Sequence, residues 1–187
     1  MDVYINRAHN IKSNPANELD GELFETIYRT HYKNVYNYIG FRINNHFDSE
    51  ELAASVFENA IRKFNTYKPN VSTMEAWLIG IAKNVVTDYL RSKKHKFFTP
   101  LDDIIGLVSQ NKQPEEVMVI NEDNRALIKA MAMLKNRERQ VLSMKFATDL
   151  RNNEIAKILN ISDSNVGVII HRAIGKLKEI LDKEGEL

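Results

Sequence analysis

The side chains best suited to chemistry lie between Leu150 and Ala173. Ser164, Asn165, His171 and Arg172 supply donors and acceptors, and Val168 supplies a methyl surface. That mixture reads base edges in the DNA major groove, where hydrogen bonds distinguish bases and an apolar group can meet a thymine methyl. The five positions share one side of a helix, while Val166, Ile170, Ala173, Leu177 and Ile180 make an apolar stripe on the other. Ahead of them, Ile155, Ala156 and Leu159 bury one face of a shorter helix. Asn160-Ile-Ser-Asp163 breaks the pattern, and Ser162, Asp163 or Ser164 can cap the next helix. The small Ala156 permits the close crossing of a helix-turn-helix. An ordinary amphipathic helix pair in an all-helical core shows the same stripes, so both readings stand on pattern alone.

A second cluster, Arg91-Ser-Lys-Lys-His-Lys96, also has two readings. Cations suit a helix C-terminus in any protein, and they equally suit a phosphate backbone. Other chemistry is not supported. The five histidines, His9, His31, His46, His95 and His171, have no metal-ligand spacing. Glu50-Glu51 and Glu115-Glu116 are adjacent pairs, which point to different helix faces and make no catalytic dyad. There is no glycine-rich phosphate loop, no HExxH and no GxSxG. The sequence therefore predicts no metal, no cofactor and no enzymatic activity.

These side chains must be positioned by helices. Seven glycines and four prolines in 187 residues are few for a β-rich chain with many tight turns. Residues 1–18 lack a clear period and are expected to form a loose arm. A helical period runs from Asp20 to about Arg42, through Leu23, Phe24, Ile27, Tyr28, Tyr32, Val35, Tyr36 and Ile39. A second helix, capped by Asp48 or Ser49, is expected to reach about Phe64, with Glu50 and Glu51 in its first turn. A third runs from about Met74 to Arg91. Residues 97–120 lose the period and hold Pro100, Gly106 and Pro114, the marks of a flexible linker. Helices resume over Asn121–Met133 and from Asn136 to about Ala147. The expected fold is all-α: two small helical domains, 19–96 and 121–187, the second containing the helix-turn-helix. The absence of cysteine excludes disulfides and suits a reducing cytoplasm. No apolar run reaches the length of a membrane span, and no signal-peptide pattern opens the chain. A net charge of +1 leaves any nucleic-acid affinity to local patches.

Four stretches together resemble the extracytoplasmic-function (ECF) type of RNA polymerase sigma factor. They are Leu23-Phe-Glu-Thr-Ile-Tyr-Arg-Thr-His-Tyr-Lys-Asn-Val-Tyr-Asn-Tyr-Ile39, Asp48-Ser-Glu-Glu-Leu-Ala-Ala-Ser-Val-Phe57, Ala76-Trp-Leu-Ile-Gly-Ile-Ala-Lys-Asn-Val-Val-Thr-Asp-Tyr-Leu-Arg91, and Leu134-Lys-Asn-Arg-Glu-Arg-Gln-Val-Leu142 with Glu154-Ile-Ala-Lys-Ile-Leu-Asn-Ile-Ser162 and His171-Arg-Ala173. The resemblance implies a bacterial factor that binds core RNA polymerase and directs initiation at promoter DNA. It implies docking of Asp48, Glu50, Glu51 and Phe57 on the polymerase clamp helices, with the C-terminal domain meeting the flap. It implies −10 recognition and melting by Asn65, Tyr67, Lys68, Asn70, Lys83, Asn84 and Asp88, with Arg91, Lys93 and Lys94 on the backbone. Tyr67, placed in a loop, is the better base-stacking candidate, since Trp77 sits in an apolar stripe. The −35 element would meet Arg151 and Asn153 at its phosphates, and Ser164, Asn165, Val168, His171, Arg172 and Lys176 at the groove. An anti-sigma partner is also implied.

Two departures stand out. Ala54-Ser55 replace the Gln-Glu frequent in the family, and Gly167-Val168 fall where it often carries Lys or Arg. Gly167 either lets the backbone approach DNA or avoids a clash inside the domain. The rival assignments are a stand-alone helix-turn-helix regulator, and an interaction protein that has lost DNA reading.

Overall fold

The computed structural model describes residues 20–96 and 122–185. The expected arm, 1–18, and linker, 97–120, lie outside the described residues. Seven α-helices and one 3₁₀ turn account for what is described, with no strand among those residues. They are α1 (Gly21–Ile43), α2 (His46–Lys63), α3 (Met74–Lys96), α4 (Glu122–Met133), α5 (Asn136–Ala147), α6 (Asn152–Leu159) and α7 (Asp163–Gly185). The 3₁₀ turn, Phe64–Thr66, follows α2.

Local chemistry sets the boundaries. Asp20 caps α1 by accepting the Leu23 N–H at 2.7 Å. Asn44, at φ 51°, ends that helix in the left-handed region, which asparagine tolerates better than most residues. The cap of α2 differs from the expected one. Asn45 accepts the Asp48 N–H at 3.0 Å, so the helix starts at His46 and Asp48, not Glu50 or Glu51, occupies its first turn. Asn45, three residues ahead of Asp48, offers the side-chain acceptor that Asp48 or Ser49 would have offered. The third helix runs on to Lys96 because nothing in the basic run breaks it.

In the N-terminal half, α1, α2 and α3 enclose Ile27, Val35, Tyr38, Ile39, Ala53, Val56, Phe57, Leu78, Ile79, Ala82 and Val86. In the C-terminal half, Ala130, Met131, Leu134, Leu142, Ala173 and Leu177 form a smaller cluster. The halves are not separated. Val141, Met144, Ala147, Leu150, Ile155, Ala156 and Val166 complete the core built by α1 and α3. The C-terminal half is therefore packed onto the N-terminal one through α1 against α5 and α3 against α6.

Candidate nucleic-acid interface

The helix-turn-helix is built as its residues suggest. The Arg151 N–H donates to Glu154 at 2.9 Å and starts α6. Ile155 and Ala156 are buried. Asn160 adopts φ 52°, and the Ala156 carbonyl accepts the Ile161 N–H at 3.0 Å, the bond that closes a left-handed helix end. Among the three candidate caps it is Ser162 that accepts, from the Asn165 N–H at 3.2 Å. Burial of Val166, Ala173 and Leu177 fixes the rotation of α7. Ser164, Asn165, His171 and Arg172 are consequently exposed, and Val168 beside them is 46% exposed. Arg151 and Asn153 are exposed at the start of α6.

Lys176 departs from the groove set. Its ammonium donates to Glu138 of α5 and forms an ion pair with it, so it ties two helices together. The hydrogen bond from Lys176 is the main reason the Glu138 carboxyl sits below its ordinary value; burial opposes the shift, and the Lys135 N–H supports it. At Gly167 a Cβ would meet nothing within 4 Å. A steric clash inside the domain therefore does not explain this glycine.

The expected −10 residues separate into groups. Lys68, Asn70, Asn84, Asp88 and Arg91 are exposed, with Asp88 and Arg91 3.6 Å apart on one face of α3. Asn65 is exposed in the 3₁₀ turn. Tyr67 is only 6% exposed, its ring 5.4 Å from that of Trp77 and 6.1 Å from that of Phe64. The tyrosine expected to offer a stacking face is a core residue, because the short turn after α2 folds it inward. Trp77 is half-buried and holds it there. Lys83 is half-buried and donates to the Ile158 carbonyl of α6 at 3.4 Å. Lys93 donates to Asp48 at 3.1 Å and lies 4.9 Å over the Tyr89 ring. The Lys94 side chain lies outside the described residues.

The docking candidates also divide. Phe57 is 2% exposed, set between Phe24, Tyr28 and Tyr32, and so belongs to the core rather than to a surface. Asp48 accepts from Tyr89 as well as from Lys93, joining α2 to α3. Burial pushes its carboxyl up, but these two hydrogen bonds and the Lys93 charge prevail and hold it below its ordinary value. Glu51 is exposed and Glu50 half-buried, near Tyr32 and Tyr36. Sequence reasoning missed Phe47, which is 65% exposed at the head of α2. Its signal was weak, a phenylalanine between the first expected helix and the expected cap at Asp48 or Ser49. Ala54 is exposed and Ser55 donates back to the Glu51 carbonyl at 3.0 Å.

The comparisons with known proteins follow this division. The model for Sigma-70 region 2 matches residues 27–96, and that for Sigma-70, region 4 matches residues 124–177. The chain is 28% identical to the ECF RNA polymerase sigma factor SigM of Bacillus subtilis, over 85% of this chain and 95% of SigM. It is 29% identical to the RNA polymerase sigma factor YlaC of the same organism, over 87% of this chain and 94% of YlaC. With the ECF RNA polymerase sigma factor BldN of Streptomyces coelicolor the identity is 23%, over 87% of this chain but only 61% of BldN. Among solved structures, the sigma factor RpoE, in complex with the anti-sigma factor NepR from Bartonella quintana, matches with a TM-score of 0.71. That match has 18% identity and covers 85% of this chain and 96% of RpoE. CnrH, in complex with the cytosolic domain of CnrY, matches at a TM-score of 0.60 and 17% identity, over 96% and 95% of the two chains. With both region matches in order and relatives of one type covering most of the chain, this protein belongs to the ECF-type RNA polymerase sigma factors.

Proposed function

We propose that this sigma factor, which directs transcription initiation at promoters with RNA polymerase, divides the work among three surfaces. The observation that carries the reading is one chain holding region 2 and region 4 in order, with the polar side of α7 facing outward. The head of α2, with Phe47, Glu50 and Glu51, docks on the core polymerase. Lys68, Asn70, Asn84, Asp88 and Arg91 face the −10 element, joined by Asn65 and Lys83. Ser164, Asn165, Val168, His171 and Arg172 read the −35 element, with Arg151 and Asn153 on its phosphates. The domains divide at the 97–120 segment. The factor works in the cytoplasm, catalyses nothing itself, and is held in check by an anti-sigma partner, a reading supported by the likeness to RpoE in its complex with the anti-sigma factor NepR. No described helix is long and apolar enough to cross a membrane.

Phe57 is too buried to serve as a docking probe, so the test uses Phe47. Purified chain is mixed with bacterial core polymerase beside a Glu51→Arg, Phe47→Ala variant. Wild-type capture weakened at least about tenfold in the variant, a difference of roughly 1.4 kcal/mol, is the expected result. No capture of folded wild type would remove the docking surface and favour a stand-alone regulator.

A further inference from the structure

The outward row of α7 has an exposed valine at its middle and few cations around it. Burial of Val166, Ala173 and Leu177 turns the opposite side of the helix outward. That side carries Ser164, Val168, His171 and Gly175, all exposed, at steps of four, three and four residues, which is a single line along a helix. Asn165 and Arg172 flank the line and are exposed too. Val168 is therefore three or four residues from each of Ser164, Asn165, His171 and Arg172, and sits at the centre of the polar set. The helix packs on α4, α5 and α6, whereas the seam between the halves is made by α1 against α5 and α3 against α6. The row is open in the folded chain.

Single exposed apolar residues are common on protein surfaces, so it is the position of this one that counts. Val168 is 46% exposed, and valine is a weaker helix former than alanine, lysine or arginine. Its branched group is stiff, with one strongly preferred rotamer in a helix. Its surroundings leave the approach clear. A Cβ at Gly167 or Gly175 would meet nothing within 4 Å, so packing requires neither glycine. Lys176 is drawn off to Glu138, and Arg172 is the one Lys or Arg between Asp163 and Gly175. A helix with short side chains along its outer line seats closely in the major groove, which is wide enough to admit one.

Seating the helix takes Val168 out of water against base edges. Guanine, adenine and cytosine present hydrogen-bonding atoms there, which an isopropyl group cannot satisfy. Leaving such atoms dry and unpaired is costly. Thymine alone adds a methyl group to its edge. We propose that Val168 sets the specificity of the −35 element, requiring a thymine at the pair it faces and reading it by the methyl group rather than by a hydrogen bond. The proposal deepens the −35 assignment of α7 given above and rests on it. Asn165 and Arg172 supply the polar contacts on either side, so the apolar contact is central and the hydrogen bonds are peripheral.

The test uses the full chain bound to core polymerase. Selection from DNA with a randomised −35 segment defines the preferred bases. Each thymine selected there is then replaced by deoxyuridine, which removes one methyl group and no hydrogen bond. At one position binding is expected to weaken about fourfold, the worth of one methyl-sized group taken from water. Val168→Ala puts a better helix former at a surface position, and circular dichroism checks its fold. This variant is expected to bind the thymine promoter several-fold less tightly and to lose the difference between thymine and deoxyuridine at that position. Preferred −35 elements without a fixed thymine, or binding that deoxyuridine leaves unchanged at every position, would overturn the proposal. So would a Val168→Ala chain that still separates thymine from deoxyuridine as the wild type does. If the wild type selects no preferred bases in that segment, the −35 assignment itself fails, and the role of Val168 falls with it.

Discussion

At the residue scale, several charged side chains that a linear reading gives to DNA or polymerase turn out to hold helices together. Asp48 and Lys93 join α2 to α3, and Glu138 and Lys176 join α5 to α7. Their partners are 45 and 38 residues away, beyond the reach of any spacing rule. The Glu138 pair has a pH signature. Its carboxyl lies below the usual glutamate value of 4.5 in the folded chain. A depressed carboxylate contributes its stability above the unfolded value and loses it as pH falls through the folded value. Melting temperature is therefore expected to drop from about pH 5 downward in wild type. Glu138→Gln should show a shallower fall over the same range, and an unchanged slope would mean that the pair is too solvated to matter.

At the element scale, helix existence was legible and helix ends were partly so. The sequence boundaries of α5 match the structure, and those of α1 and α4 fall within a residue of it. The cap of α2 was missed because asparagine and aspartate cap helices about equally well, and only the helix start decides between Asn45 and Asp48. Gly167 tests element chemistry directly. It lies within α7 and has open space around its Cβ. Gly167→Ala should stabilise the folded chain by up to about 1 kcal/mol, measured by urea unfolding, since alanine loses less backbone entropy. A stabilised variant with weakened initiation would show that DNA needs the bare backbone at that position.

At the scale of the whole molecule, the shared core has a thermodynamic consequence. Trp77, the single tryptophan, packs in the N-terminal half, whereas circular dichroism reports both halves. Residues of α5 and α6 complete the core beneath α1 and α3, so the two signals are expected to follow one urea transition. Separated midpoints would show that the halves unfold independently and that the seam adds little.

The sequence alone determined the helical class, the order of the helices, the helix-turn-helix and its outward polar row. Each follows from local periodicity, small residues and turn chemistry, which act over a few residues. Tertiary structure decided which candidates remain at the surface. Phe57 and Tyr67 look alike to Phe47 and Tyr28 in a sequence, yet the first two are core and the others are exposed. Helical period places a residue on a face, but not which faces find partners, and a short turn can fold an aromatic ring inward. Arg42 is the clearest case. Read along the chain it is a last-turn cation suited to the dipole of α1. Only the arrival of α5, nearly a hundred residues later, buries it against Asn136 and makes it part of a seam between the halves.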